Sequence, residues 1–165
     1  MAFSVCFVCT GNICRSPMAE SVFRARVEED GLGGLVRVDS AGTDGWHEGD
    51  GADPRTVSVL TAAGYESDHT ARRFQVSWFS RLDMVIALDS GHLRALRRLA
   101  PTPADADKVR LLRSYDPVAV GLGDLDVPDP YYGDDDGFEM CLRMVEAASD
   151  GLLDAVREAR EGRAA

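Results

Sequence analysis

Residues 3–8 (FSVCFV) form a short apolar run rich in β-forming side chains, the pattern of a buried strand. The run stops at Cys9-Thr10-Gly11-Asn12, where Gly and Asn suit an irregular turn. Ser16-Pro17 then predicts a helix start, with Ser16 as N-cap and Pro17 at the first helical position. Residues 18–29 carry a helical period through Ala19, Val22, Phe23 and Val27, and the Gly-rich stretch 31–34 ends it. A second strand is predicted at 35–40 (LVRVDS), followed by a polar, Gly-rich loop at 41–53. A helix over 54–63 stops at Gly64. A third strand at 82–88 (LDMVIAL) leads into a helix over 90–99, which Pro101 stops. Residues 109–112 make a short fourth strand, and 121–136, rich in Gly, Asp and Pro, a long loop. The closing helix is predicted over 137–161, with Phe138, Cys141, Leu142, Val145, Leu152, Leu153 and Val156 at apolar positions.

Strands alternating with helices predict a single α/β domain with a mainly parallel sheet. No repeat or linker interrupts it, so the domain is expected over 1–161, with 162–165 a frayed tail. In such sheets ligands bind where strands end and helices begin, which favours the segment 9–16.

Composition narrows the function. At 165 residues, 45% hydrophobic and 28% charged, the chain can bury a core without a metal or disulfide staple. No apolar run approaches the roughly 20 residues that a membrane span needs. The net charge of −10 argues against nucleic acid and anionic lipid as partners. Residues 1–9 are apolar but lack a basic leader segment and a small-residue cleavage site, so a cytoplasmic protein is expected.

Three of the four cysteines, Cys6, Cys9 and Cys14, crowd near the N-terminus, and Cys141 lies far away. A secreted disulfide framework would spread them, so reduced thiols are expected. Cys6 and Cys9 form a C-x-x-C, but no second Cys or His pair follows to complete a zinc site. Cys6 also falls within the strand, which suits a redox pair poorly.

The loop Cys9-Thr10-Gly11-Asn12-Ile13-Cys14-Arg15-Ser16 concentrates backbone N–H groups and a helix N-terminus at one spot, a fit for a tetrahedral oxyanion. Gly11 and Asn12 tolerate the positive φ values of an anion-binding nest. Arg15 could grip two oxygens with its planar fork. The dipole, the amides and Arg15 all favour thiolate over thiol at Cys9, and a thiolate facing a phosphate is placed for covalent catalysis. The Gly-x4-Gly-Lys-Ser/Thr pattern of nucleotide-binding loops is absent. With 17 arginines in the chain, Cys-x5-Arg alone is a weak signal; its specificity comes from the preceding strand, the internal Gly-Asn and the following Ser-Pro.

The stretch from Val8 to Pro17 (VCTGNICRSP) resembles the signature of low-molecular-weight protein tyrosine phosphatases. The resemblance covers nearly the whole chain, continuing through Asp39-Ser40-Ala41-Gly42, His69-Thr70-Ala71-Arg72, Ser114-Tyr115-Asp116-Pro117 and Asp129-Pro130-Tyr131-Tyr132. It implies a single three-layer α/β domain, a four-stranded parallel sheet flanked by helices with a phosphate-binding loop after the first strand. It also implies a phosphotyrosine hydrolase that works through a phosphocysteine and uses no cofactor or metal. Cys9 would be the nucleophile, Arg15 the phosphate ligand and Asp129 the general acid and base, with Thr10, Gly11, Asn12, Ile13 and Cys14 lining the substrate.

Pro128 and Pro130 stiffen the chain around Asp129, and partial burial beside a phosphate dianion would favour its protonated form. Tyr131 resembles a pocket-wall tyrosine and Trp46 the aromatic position opposite, a slot deep enough to select phosphotyrosine by reach. Tyr132, the second of a tyrosine pair that can itself be phosphorylated in the family, is also expected to line the substrate site. Ser16, Ser40, His69 and Asn12 match a supporting network behind the loop, with Ser16 donating to the Cys9 thiolate and the rest holding Asn12 left-handed. His47 and His92 carry no signal of their own. Cys14 is either a loop-filling residue or the partner of a protective disulfide with Cys9. The run Asp134-Asp135-Asp136 reads as a solvated loop, with a second reading as a contact for basic substrates.

Phosphotyrosine proteins or peptides are the expected partners, inorganic phosphate is product and competitive inhibitor, and a monomer is expected. Arsenate reductase is a rival enzyme reading, but no Cys lies between Cys14 and Cys141 to carry electrons out. Protein-arginine phosphatase is another; Ile13 and the Tyr131-Tyr132 pair favour phosphotyrosine. A non-catalytic phosphate-binding module would have lost Cys9, Arg15 or Asp129, and all three are present.

Overall fold

A computed structural model describes residues 2–164. β1 (Phe3–Cys9) is followed by α1 (Arg15–Glu29), β2 (Val36–Gly42), α2 (Pro54–Ala62), β3 (Met84–Ala87), α3 (Ser90–Leu99), α4 (Pro103–Asp107), β4 (Val109–Leu111), α5 (Pro117–Leu122) and α6 (Asp135–Ala164). Single 3-10 turns at Val76–Ser80 and Leu112–Tyr115 complete the path. The strands form one parallel sheet in the order β2-β1-β3-β4. The four-stranded α/β expectation therefore holds.

The central strand explains its own sequence. All seven residues of β1 are buried, because both faces of a central parallel strand are covered. Phe3, Val5, Phe7 and Cys9 join α1 and α6 in one core, where Phe7 meets Phe23 edge-on at 5.6 Å. Cys6 and Val8 point to the other core, with Phe74, Phe79 and Leu96. Cys6 and Cys9 thus belong to opposite faces of the sheet, so the C-x-x-C is not a working pair. Burial, with Asp39 beside it, pushes the Cys6 thiol well above its ordinary range.

Several boundaries differ from expectation. α1 begins at Arg15, with Cys14 rather than Ser16 at its N-cap and no side-chain cap bond. Within the stretch expected as loop at 121–136, α5 ends at Leu122 and α6 starts at Asp135. Asp134 Oδ1 accepts the Gly137 N–H at 3.3 Å, and Asp135 and Asp136 occupy the first turn of α6, where acids suit the dipole. The Asp run is exposed, as a solvated segment would be, and it also starts a helix. α6 continues through Ala164, so the segment expected to fray is helical there; Ala165 and Met1 lie outside the described residues.

The strand order steps away from β1 in both directions, to β2 on one side and β3 on the other. Such a switch point leaves a crevice at the carboxyl end of the central strand. Cys9 is the last residue of that strand.

Candidate active site

The loop from Cys9 to Arg15 is shaped by outside donors that pull on its carbonyls. Cys9 O accepts from Thr43 N at 2.8 Å and Thr10 O from Asp44 N at 3.0 Å. Asn12 O accepts from His69 Nε2 at 2.7 Å, Ile13 O from Asp53 N at 2.8 Å, and Cys14 O from Thr56 Oγ1 at 3.3 Å. In a trans peptide the next N–H points opposite to the carbonyl. With these carbonyls turned outward, the amides that follow them turn toward the cavity, a nest for an anion at the start of α1.

Asn12 is the only non-glycine among the described residues with positive φ, at 57°. Gly11 does not share it. Its lack of a side chain serves His47 instead, whose Cδ2 would lie 3.0 Å from a Cβ at that position. Gly42 is needed for a like reason: a Cβ there would stand 2.6 Å from Thr10 O.

Asn12 is fully buried behind the loop and does not line the cavity. Its Nδ2 donates to Ser16 Oγ at 2.8 Å and Ser40 Oγ at 3.0 Å, and its Oδ1 accepts the Arg72 N–H at 3.0 Å. Ser16 Oγ lies 2.9 Å from Cys9 Sγ and 3.4 Å from Ala41 O. Asn12 already fills an acceptor site on that hydroxyl, so its single proton goes to the sulfur or to Ala41 O. A thiolate at Cys9 takes it. Behind Ser40 and His69 sits Glu20, which sequence reasoning missed. It accepts from Ser40 Oγ and Arg24 Nη2, and His69 Nδ1 lies 3.6 Å away. Burial raises the Glu20 carboxyl, but bonds from His69, Ser40 and Arg24 outweigh it and hold the group below its usual range. The available signal was its spacing, one helical turn after Ser16.

Arg15 is 3% exposed and splinted from behind. Its Nη1 donates to Asp89 Oδ2 at 2.8 Å and to Val127 O at 3.0 Å. Burial opposes the charge, but Cys9, Asp89 and Asp129 raise the guanidinium above its ordinary value. Asp89, also missed, caps α3 and lies two residues past the end of β3, the strand beside β1. His92 is a third omission; its Nε2 is 2.8 Å from Thr10 Oγ1.

Asp129 hangs over the cavity on the loop before α6. Its Oδ2 is 3.7 Å from Arg15 Nη2, and its Oδ1 accepts the Tyr131 N–H at 3.1 Å. The side chain is 44% exposed, more open than the partial burial expected of it. Cys9, Thr10, Gly11, Ile13, Cys14 and Arg15 floor a cavity of about 340 Å³. Trp46 from the loop after β2 and Tyr131 and Tyr132 from the loop before α6 rim it, as do Asp44, His47 and Asp129. The two tyrosines meet edge-on at 4.9 Å, and Arg55, fixed by Asp53, stands 5.5 Å from the Tyr131 ring. Burial, with Asp53 and Cys9 nearby, pushes the Cys14 thiol up to about 12. Among the described residues no group of three or more His, Cys, Asp or Glu is arranged to hold a metal ion.

A doubly wound α/β domain with a thiol at the floor of an oxyanion nest, a clamped arginine beside it and a carboxyl above it defines a class of cysteine-centred phosphate-handling proteins. The chain belongs to the low molecular weight phosphotyrosine protein phosphatase family, whose profile matches residues 4–162. It is 76% identical over 165 residues, the full length of both chains, to a low molecular weight protein-tyrosine-phosphatase of Streptomyces coelicolor. It is 40% identical over 149 residues to a low molecular weight phosphotyrosine protein phosphatase of Homo sapiens, covering 87% of this chain and 92% of that one. A crystal structure of a protein tyrosine phosphatase from Entamoeba histolytica superposes with a TM-score of 0.90 at 32% identity, covering 96% of this chain and 99% of that one.

Proposed function

We propose that this protein hydrolyses phosphotyrosine in proteins and peptides, and small aryl phosphates, in two steps. Cys9 attacks phosphorus in line; the S–P bond forms as the P–O bond to tyrosine breaks. Asp129 gives its proton to the leaving oxygen. Arg15 and the loop amides bind the remaining oxygens and stabilise their charge. Water then attacks the phosphocysteine, Asp129 takes its proton, and Cys9 leaves as thiolate with inorganic phosphate as product. A bound phosphate dianion favours the neutral carboxyl by like-charge repulsion, a push that the open position of Asp129 leaves to the substrate. The carrying observation is the 2.9 Å contact between Cys9 Sγ and Ser16 Oγ at the base of the nest. Rapid-quenched turnover of an aryl phosphate with an acidic phenol by Asp129→Asn, in which the second step is slowed, should trap phosphocysteine in EDTA. Turnover without that species would sink the covalent route.

The network behind the loop supports rather than reacts. His69→Ala is expected to lower kcat moderately, by about tenfold, and to cost about 1–2 kcal/mol of stability by removing the Asn12 O bond. Steady-state kinetics and thermal melts check this. A kcat loss matching that of Cys9→Ser would put His69 into the chemistry.

We infer that Cys9 is also the oxidation-sensitive thiol of a cytoplasmic, monomeric enzyme. Peroxide would convert its thiolate to sulfenic acid, and the Cys14 thiol would displace water to give a disulfide. Burial holds the Cys14 thiol protonated, so it must give up its proton as it attacks the sulfenic sulfur. Cys14→Ser should therefore recover less activity than wild type after peroxide and then dithiothreitol. Equal recovery removes the protective role.

A further inference from the structure

His92 has no part in the chemistry above, yet it is 5% exposed and touches the phosphate loop. It is the third residue of α3, and Asp89 Oδ1 accepts its backbone N–H at 2.9 Å. The same Asp89 holds Arg15 through its other oxygen. The start of α3 thus reaches both ends of the loop, Thr10 through the imidazole and Arg15 through the carboxylate.

The direction of the Thr10 bond follows from what faces each ring nitrogen. Thr10 Oγ1 accepts from Arg15 Nη2 at 3.5 Å, so its own proton is free to point at His92 Nε2, 2.8 Å away. The second lone pair of Thr10 could accept as well, so the tautomer is set on the other side of the ring: the Asp89 carboxylate beside Nδ1 favours the ring proton there and leaves Nε2 as the acceptor. Nδ1 lies 3.2 Å from Asp89 Oδ1 but lacks the alignment of a hydrogen bond, so proximity to a carboxylate is its only support. An imidazolium would reverse the Thr10 bond and set a second cation beside Arg15. We propose that His92 is a positioning residue that, as a neutral imidazole protonated on Nδ1, locks Thr10 and through it the phosphate loop and the Arg15 fork.

The surroundings favour that state. Burial and Arg15 of α1 oppose a charge on the ring; Asp89 before α3 and Asp126 and Asp129 from the loop before α6 favour one. The first two prevail, and the His92 imidazolium is pushed down to about 4. This role deepens the phosphatase reading, since the loop it fixes is the one proposed to bind phosphate.

The test has two arms. Long-range 1H–15N NMR of the reduced, ligand-free protein should show His92 with Nδ1 protonated, Nε2 bare and no titration between pH 7 and pH 5. An Nε2–H tautomer, or a midpoint near the ordinary histidine value, overturns the proposal whatever the enzyme's substrate. In the second arm, His92→Phe fills the space without an acceptor and should weaken inorganic phosphate binding and kcat/KM by about tenfold or more. His92→Gln, whose carbonyl reaches the Nε2 position, should restore most of both. Wild-type values in His92→Phe, or a Gln variant no better than Phe, also overturn it. If wild type fails to hydrolyse phosphotyrosine, the phosphatase reading falls while the NMR and phosphate-binding arms still decide the role of His92.

Discussion

Cys9→Ser is expected to lower phosphotyrosine turnover on the order of 10⁴-fold or more while leaving phosphate binding in place. The side chain is 3% exposed and the change is nearly isosteric, so the loop should keep its shape. The carbonyl bonds that set that shape come from Thr43, Asp44, His69, Asp53 and Thr56, and none involves the sulfur. What the variant loses is the anion. A serine hydroxyl is intrinsically far less acidic and less nucleophilic than a thiol. Removing a thiolate also removes its repulsion of a phosphate dianion, so product affinity should stay level or rise. Steady-state kinetics with EDTA present and a phosphate titration of the same sample check the two halves. Persistent turnover would remove Cys9 as nucleophile. Turnover and phosphate binding vanishing together would show instead that the loop had collapsed.

The parts of this molecule written in consecutive residues were the legible ones. The buried run of β1, the Gly-Asn turn and the following helix each leave a local pattern, and together they located the loop at 9–16. α4 and α5 left none. They have five and six residues, too few for a helical period, and are held by a Pro in the first turn and by Thr102 and Asp116 caps. Ser16 shows a different limit. Ser-Pro is a common helix start, but here Ser16 lies inside α1 and its hydroxyl serves Cys9 rather than the helix end. The missed side chains are the ones whose partners lie across the sheet. Glu20 meets His69 and Ser40, Asp89 meets Arg15, and His92 meets Thr10, over separations of 20 to 82 residues. Only the strand order, which puts the end of β3 beside the end of β1, makes Asp89 and His92 neighbours of the loop. No periodicity encodes that adjacency.

Asp129→Asn separates proton transfer from charge. The amide oxygen can still accept the Tyr131 N–H, now at 3.1 Å, so the loop should hold its turn. The ion pair with Arg15 that the substitution removes is 3.7 Å long and its carboxylate is 44% exposed, so stability should change little. The kinetic effect should be large, roughly 10²- to 10⁴-fold in kcat/KM for phosphotyrosine, because tyrosine, with a pKa of about 10, is a poor leaving group unless protonated. An aryl phosphate whose phenol is much more acidic than tyrosine needs that proton less and should lose far less. With such a substrate the second step, in which Asp129 activates water, should become limiting, so phosphocysteine should accumulate in the variant. Rates across a series of aryl phosphates, plotted against phenol acidity, decide the matter. A steeper dependence in the variant places the proton on Asp129. Equal losses across the series would mean that the carboxylate acts through its charge on Arg15, and that the leaving oxygen takes its proton from elsewhere.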